Sequence, residues 1–433
     1  GFAHEEFRSI GNMASKGNVM FNFLLVSVTI IFCNNLKLRL IPFNNEIKRS
    51  LGYPIDSLLN FTELSELYGY TSEEHTVLTE DGYILTIFRI NGRNCAHKLK
   101  RPPVLLMHGL LQSSDAWLDA GPKAGLAYLL SDACYDLWVG NQRGNYYSRR
   151  HNRLDPDKDP EFWQFSVDEI GFYDIPATIE YVLKYTREDK LNYIGYSQGA
   201  GTFFIMCSER PGYCDKANVF IGLAPAARQT NTKSVPYKIL LEGVRYLEGA
   251  LATTGLYELF AKGSLSQELL AFLCKSSATS EVLCGTGESL VDSFHPGSIN
   301  NETLRVLFGH FPAGTSVHNI ARYGQSVKSS HFQKFDYGSA RNLEIYGTEQ
   351  PPHYNLSAVT VPAVVLYGNN DHLVDTKDIL WLIKRLPKVL ENKRVSDPLW
   401  NHFDSAYSQY TREMIFPTIN KYLLKYSRKL NKV

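Results

Sequence analysis

The sequence predicts an α/β protein, a mostly parallel central sheet whose chain is interrupted by a helical insertion. Three observations predict it. Apolar runs at 103–107, 135–140, 190–194, 219–224 and 361–368 read as short strands, most of them continuous enough to be covered on both faces. Helix-like segments at 125–131 and 168–184 separate the first three, as right-handed crossovers between parallel strands require. From about residue 229 to 349 the pattern changes to helix-like segments with no convincing buried strand.

The chain has 433 residues, 44% hydrophobic and 21% charged, which is ample for one large domain with an insertion or for two domains. Forty-five Lys and Arg stand against 44 Asp and Glu, so charge favours neither nucleic acid nor an anionic membrane as partner. No obligate protein partner is evident.

Lys16 precedes an apolar run over 19–33, shorter than the roughly 20 residues of a membrane span. It reads as a signal peptide at 13–33 opening on Met13, with residues 1–12 an upstream extension and an uncleaved anchor the rival reading. Sequons at Asn60, Asn301 and Asn355 agree with secretion. Beyond Cys33 the cysteines number six, an even set that permits disulfides, and no Cys-x-x-Cys points to zinc or thioredoxin-like chemistry.

In chain order, 56–67 reads as a short helix, and 74–79 with 83–90 as a hairpin around Glu80-Asp81-Gly82. The run 103–107 delivers His108-Gly109-Leu110-Leu111 to a loop. The Arg-rich stretch 141–151 reads as a buried loop organised by Arg-to-carbonyl hydrogen bonds, or as an anion site. Within the insertion, 237–247, 256–260 and 265–272 are helix-like. After the strand 361–368 come a helix at 376–384, a strand around 393–395 and a last helix over 412–427, whose basic residues from 421 to 432 read as a solvated end.

The chemistry sits at Gly195-Tyr196-Ser197-Gln198-Gly199, between the run 190–194 and a helix-like stretch from 200. This is Gly-x-Ser-x-Gly, the sharp turn that lifts a serine above the edge of an α/β-hydrolase sheet. The glycines allow close packing around a nucleophile held in a strained backbone. A serine hydroxyl needs a base, histidine has the matching pKa, and a carboxylate on its other nitrogen fixes the tautomer. In this arrangement the acid and then the histidine follow the serine along the chain.

Asp371 lies just beyond a buried strand, at the edge where such sheets carry ligand-facing loops. Asp375 and Asp378 fall at the next helix start, where an acidic residue commonly caps. His402 follows one strand later, whereas His372 is adjacent to the acid and badly placed to face it. The backbone N–H groups of Leu110 and Gln198 are the candidate oxyanion donors, with Gly109 allowing the approach.

The chain resembles the acid lipase family of neutral lipid hydrolases from about residue 51 to 426. The resemblance rests on Leu106-Met107-His108-Gly109-Leu110-Leu111, Gly140-Asn141-Gln142-Arg143-Gly144-Asn145, the run 168–179, Gly195-Tyr196-Ser197-Gln198-Gly199, Pro312-Ala313-Gly314-Thr315-Ser316, Phe335-Asp336-Tyr337-Gly338, Asn369-Asn370-Asp371 and Asn401-His402-Phe403-Asp404. It implies an α/β-hydrolase fold with core segments at 50–227 and 356–433, around a helical cap at 228–355 that contains a mobile lid. It implies Ser197, Asp371 and His402 as triad and the same two oxyanion donors. The family carries a cap disulfide, for which Cys274 and Cys284 are candidates whose pairing the spacing leaves open. The turn Gly368-Asn369-Asn370-Asp371 also departs slightly from the family's usual Gly-Gly-x-Asp.

These readings converge on a secreted or lysosomal serine lipase that cleaves triacylglycerol or sterol esters at a lipid–water interface without metal or organic cofactor. The rivals are a non-catalytic lipid-binding or storage protein on a hydrolase scaffold and a carboxylesterase for smaller soluble esters. An aspartate nucleophile is excluded by Ser197.

Overall fold

The computed structural model describes residues 44–93, 95, 101–277 and 280–427; the expected signal peptide and upstream extension lie outside them. Strands β1 (Thr71–Leu78) and β2 (Ile84–Asn91) form the hairpin, which turns through Gly82 at φ +100°. β3 (Val104–Met107), β4 (Leu137–Gly140), β5 (Leu191–Tyr196), β6 (Ala217–Leu223), β7 (Ala363–Tyr367) and β8 (Val389–Arg394) complete one eight-stranded sheet.

The order is β1-β2-β4-β3-β5-β6-β7-β8. Pairing is parallel from β4 to β8 and antiparallel for β1–β2 and β2–β4. Every residue of β3, β4, β5 and β7 is buried, the burial predicted from sequence for β3, β4 and β7. Two apolar clusters cover the faces of the sheet, one around Phe203, Phe220 and Trp138 and one around Trp117, Trp400 and Tyr196. The order reverses between β4–β3 and β5–β6, so the crevice at their carboxyl ends is where an open α/β sheet binds ligands.

Local differences from the sequence reading have physical causes. The segment 56–67 is a short 3-10 turn, Asp56–Leu58, and then a helix, Phe61–Leu67, that Asn60 opens with a capping box to Glu63. The stretch 168–184 contains a wide turn at Ile170–Asp174 before the helix Ile175–Thr186. Pro176 has no N–H to give the residue four back, so a regular α-helical ladder cannot run through this point.

The residues between β6 and β7 are largely helical, with Val235–Thr253, Leu265–Cys274, Asn301–His310 and Val317–Lys328 the longest. The helix expected at 256–260 is instead a short strand, Glu258–Leu259, antiparallel to Thr315–Ser316. A two-residue ladder leaves no period for the sequence to register. The last helix is broken into Thr411–Met414 and Phe416–Ser427, with Pro417 in the first turn of the second piece.

Cys95–Cys134, Cys207–Cys214 and Cys274–Cys284 are paired as disulfides. Of the three sequon asparagines, Asn60 and Asn355 are exposed helix caps, and Asn301 is half-buried at the start of its helix. Among the described residues no helix is long and apolar enough to cross a membrane.

Candidate active site

β5 is the fifth strand of eight, flanked by β3 and β6, and it ends directly at Ser197. Ser197 adopts φ +50°, ψ −115°, a conformation that costs a non-glycine residue about 1–3 kcal/mol. Its amide bonds to the Leu223 carbonyl at 2.9 Å, and its own carbonyl receives Ala200, Gly201 and Ala226 amides at 3.1 Å. Those bonds hold the turn in place. The flanking glycines are needed for contact: a Cβ at Gly195 would lie 2.7 Å from Ala200 Cα, and one at Gly199 would lie 2.4 Å from the Met107 carbonyl oxygen. The elbow is therefore clamped between its own helix, Gln198–Glu209, and the end of β3.

His402 Nε2 stands 2.9 Å from Ser197 Oγ, and His402 Nδ1 stands 2.7 Å from Asp371 Oδ2. The other oxygen of Asp371 accepts the Leu373 and Val374 amides at 2.9 and 2.7 Å, which orients the carboxylate. With Nδ1–H donated to the carboxylate, the Nε2 lone pair faces the serine hydroxyl. All three side chains are buried. Burial opposes the imidazolium form of His402, but the charge and hydrogen bond of Asp371, with Asp292 adding to them, outweigh it and raise the pKa above the usual histidine value. The arrangement can take a proton from Ser197 during attack on a carbonyl and stabilise the cation that results.

The competing residues lie elsewhere. Asp375 caps Thr376–Ile383 and pairs with Lys233 at 2.6 Å, while Asp378 pairs with Arg228 at 2.7 Å. His372 offers its backbone to the segment 232–234 and donates its amide to Asp292, and its ring takes no part in the Ser–His–Asp line.

The loop after β3 comes up beside the elbow. His108 is fully buried; burial pushes its pKa down to about 4, so it is neutral, donating Nδ1–H to the Gly109 carbonyl at 2.8 Å. Its Nε2 accepts from the Gln142 amide at 3.1 Å and from Asn145 Nδ2 at 3.2 Å. Gly109 N–H is taken by Gln112 Oε1 at 2.8 Å. Among the described residues, the amides of Leu110 and Gln198 donate to no protein acceptor. Gln198 directly follows Ser197, and Gly109, the residue before Leu110, packs against the Ser197 side chain.

The Gln198 side chain is fixed as well. Its Nε2 donates to Gln142 Oε1, and its Oε1 accepts from Asn319 Nδ2 at 3.1 Å, which joins the elbow to the inserted helices. The arginine loop differs from its expected form. Arg143 is organised by carboxylates, with Nε on Asp174 at 2.7 Å and the two terminal nitrogens on Asp81 at 2.6 and 2.9 Å. Its guanidinium fork is used up internally.

Sequence reasoning missed Asp292, which reaches in from the insertion and accepts the His402 amide at 2.6 Å. Gln142 and Asn319 were missed too, because each works by packing against the elbow from a distant segment. His108 was the one legible member of this outer group, through its place before Gly109. Among the described residues no three His, Cys, Asp or Glu side chains converge as metal ligands.

A family model described as a partial alpha/beta-hydrolase lipase region matches residues 61–121, and an alpha/beta hydrolase fold model matches residues 102–407. The chain is 40% identical to Lipase 1 of Drosophila melanogaster over 361 residues, 83% of this chain and 79% of that one. It is 37% identical to gastric triacylglycerol lipase of Bos taurus over 367 residues, 84% of this chain and 91% of that one. The Homo sapiens gastric triacylglycerol lipase is 36% identical over 365 residues, 83% of this chain and 90% of that one.

Proposed function

The chain belongs to the acid lipase family of the α/β-hydrolase fold and is a carboxylic ester hydrolase, and from that premise we propose that it hydrolyses triacylglycerol through an acyl-enzyme on Ser197. The observation that carries the reading is the continuous line Ser197–His402–Asp371, at 2.9 and 2.7 Å. His402 takes the Ser197 proton as Oγ attacks the ester carbonyl, and the Leu110 and Gln198 amides receive the oxyanion. The tetrahedral intermediate collapses, His402 protonates the departing alcohol, and the fatty acyl group stays on Ser197. Water, activated by the same histidine, then releases the fatty acid.

Residues 228–355 act in this proposal as a cap with a lid that opens at a lipid surface. Exposed apolar side chains on that segment, among them Leu269, Phe272, Leu290 and Phe294, support such an approach. Asn60, Asn301 and Asn355 are the proposed glycan sites. Three disulfides favour an oxidising destination, either secretion or the lysosomal lumen.

The test is turnover of long-chain triglyceride, sterol ester and short soluble ester by the wild type and by Ser197→Ala. Triglyceride hydrolysis lost in Ser197→Ala is the expected result. A wild type that turns over none of the three from pH 4 to 8 would sink the enzymatic reading, and activity surviving in Ser197→Ala would sink the mechanism.

A further inference from the structure

The segment that follows helix Thr286–Val291 lies across both loops that carry the proposed acid and base. Asp292 is its first residue and only 2% exposed. One of its oxygens accepts the amide of His372, the residue after Asp371, at 2.9 Å. The other accepts the His402 amide at 2.6 Å and the Phe403 amide at 3.3 Å. A single carboxylate from the inserted segment thus spans the two loops at their functional residues.

The neighbours of Asp292 reinforce the same seam. Ser293 Oγ donates to the Asn370 carbonyl, and the Ser293 carbonyl accepts Asn401 Nδ2 at 2.9 Å. The Phe294 carbonyl accepts Asn370 Nδ2 at 3.1 Å, and His295 Nδ1 meets Asp404 Oδ2 at 2.6 Å. The loops also touch one another directly, through the Asn370 amide on the Trp400 carbonyl at 3.1 Å. Of these contacts, only the Asp292 carboxylate acts on the backbone of His402 itself.

Placing this group here is costly. Glu288, Asp371 and Asp404 stand nearby, and a buried carboxylate beside others is opposed both by desolvation and by like charge. A segment needed only to cover the loops could do so with apolar residues or its own carbonyls. The amides it collects explain how the carboxylate is tolerated, and their identity points to what it is for.

We infer that Asp292 is a positioning residue for the hydrolytic reaction: by holding the amides of His372, His402 and Phe403 together it sets the imidazole at hydrogen-bonding distance from both Asp371 and Ser197. The inference rests on the triad reading above. It also makes the inserted segment part of the catalytic geometry, as well as a cover over the site.

The experiment compares wild type, Asp292→Asn and Ser197→Ala on 4-nitrophenyl butyrate, a soluble ester that avoids the lipid interface, with active sites counted by a fluorophosphonate. Asn keeps the shape and one acceptor but presents N–H to an amide. Misplacing the imidazole by a few tenths of an ångström is expected to lower kcat about 10- to 100-fold, with KM within about twofold and the rate of phosphonylation falling in parallel. A kcat per titrated site within twofold of wild type overturns the inference, whatever happens to the melting temperature. If Asp292→Asn does not fold, Asp292→Ser is judged by the same criteria, and failure of both to fold assigns the carboxylate to stability alone. Ser197→Ala separates the two claims: its inactivity keeps the triad reading standing, and its activity removes that reading independently of Asp292.

Discussion

Gly109 lies directly against Ser197: a Cβ added to Gly109 would stand 3.1 Å from the Ser197 Cβ, 3.0 Å from the Tyr196 ring and 2.9 Å from Gln112 Oε1. In the proposed oxyanion site, the bare glycine lets the Leu110 amide approach an oxygen bonded at the serine. Gly109→Ala is therefore expected to push that amide outward while leaving the fold intact. Losing one oxyanion donor costs about 10²- to 10³-fold in kcat, and a displaced donor should lose an appreciable part of that. Steady-state kinetics on a soluble ester, beside a melting curve, decides it; an unchanged kcat would show that the Leu110 amide is not used.

Asp371 is expected to control both rate and pH profile. Its charge and hydrogen bond raise the His402 pKa against the opposing effect of burial. Only neutral imidazole can take the serine proton, so activity falls as pH drops through that pKa. Asp371→Asn removes the charge, lowers the proton affinity of His402 and moves the acid limb of kcat/KM to lower pH. It also frees the wrong tautomer, for a loss of about 10⁴-fold in kcat. A limb that stays in place would show that another group sets the acid side.

Gln198 separates backbone from side chain. Its amide is the proposed donor, while its carboxamide bridges Gln142 and Asn319. Gln198→Ala keeps the amide and deletes the bridge, so stability should drop by about 1–3 kcal/mol through the unsatisfied partners, with kcat changed less than about tenfold. Thermal or denaturant unfolding measures the first and ester turnover the second. A catalytic loss larger than the Gly109→Ala loss would reverse the assignment.

What the sequence made legible was whatever depends on local chemistry. The elbow at Ser197 carries its own steric signature in Gly195 and Gly199. Asp371 could be found because the apolar run of β7 marks the strand end it follows, and His402 because it comes after the next strand and before the last helix. Asp292 left no such mark: it is one acidic residue in a polar stretch, and its importance arises only when that stretch folds over loops nearly 80 and 110 residues further along. Gln142 and Asn319 were hidden in the same way. The strand at Glu258–Leu259 is too short to show a period, and the carboxylates on Arg143 come from Asp81 and Asp174, on either side of it in the chain.

Arg143 provides the last prediction. Its side chain is 1% exposed, as is that of Asp174, and it lies 3.8 Å over the Tyr83 ring with its terminal nitrogens on Asp81. Pairing satisfies every face of the guanidinium, and an anion arriving from solvent would have to displace a bidentate carboxylate to reach it. Arg143→Met would leave Asp174 buried without its partner, a loss of about 3–5 kcal/mol. Adding Asp174→Leu should restore part of that stability, because the uncompensated charge is then gone. Denaturant midpoints of the single and double variants test this directly. An anion-binding arginine would behave in the opposite way: Arg143→Met would keep its midpoint and lose inhibition by inorganic phosphate, and the second substitution would give nothing back.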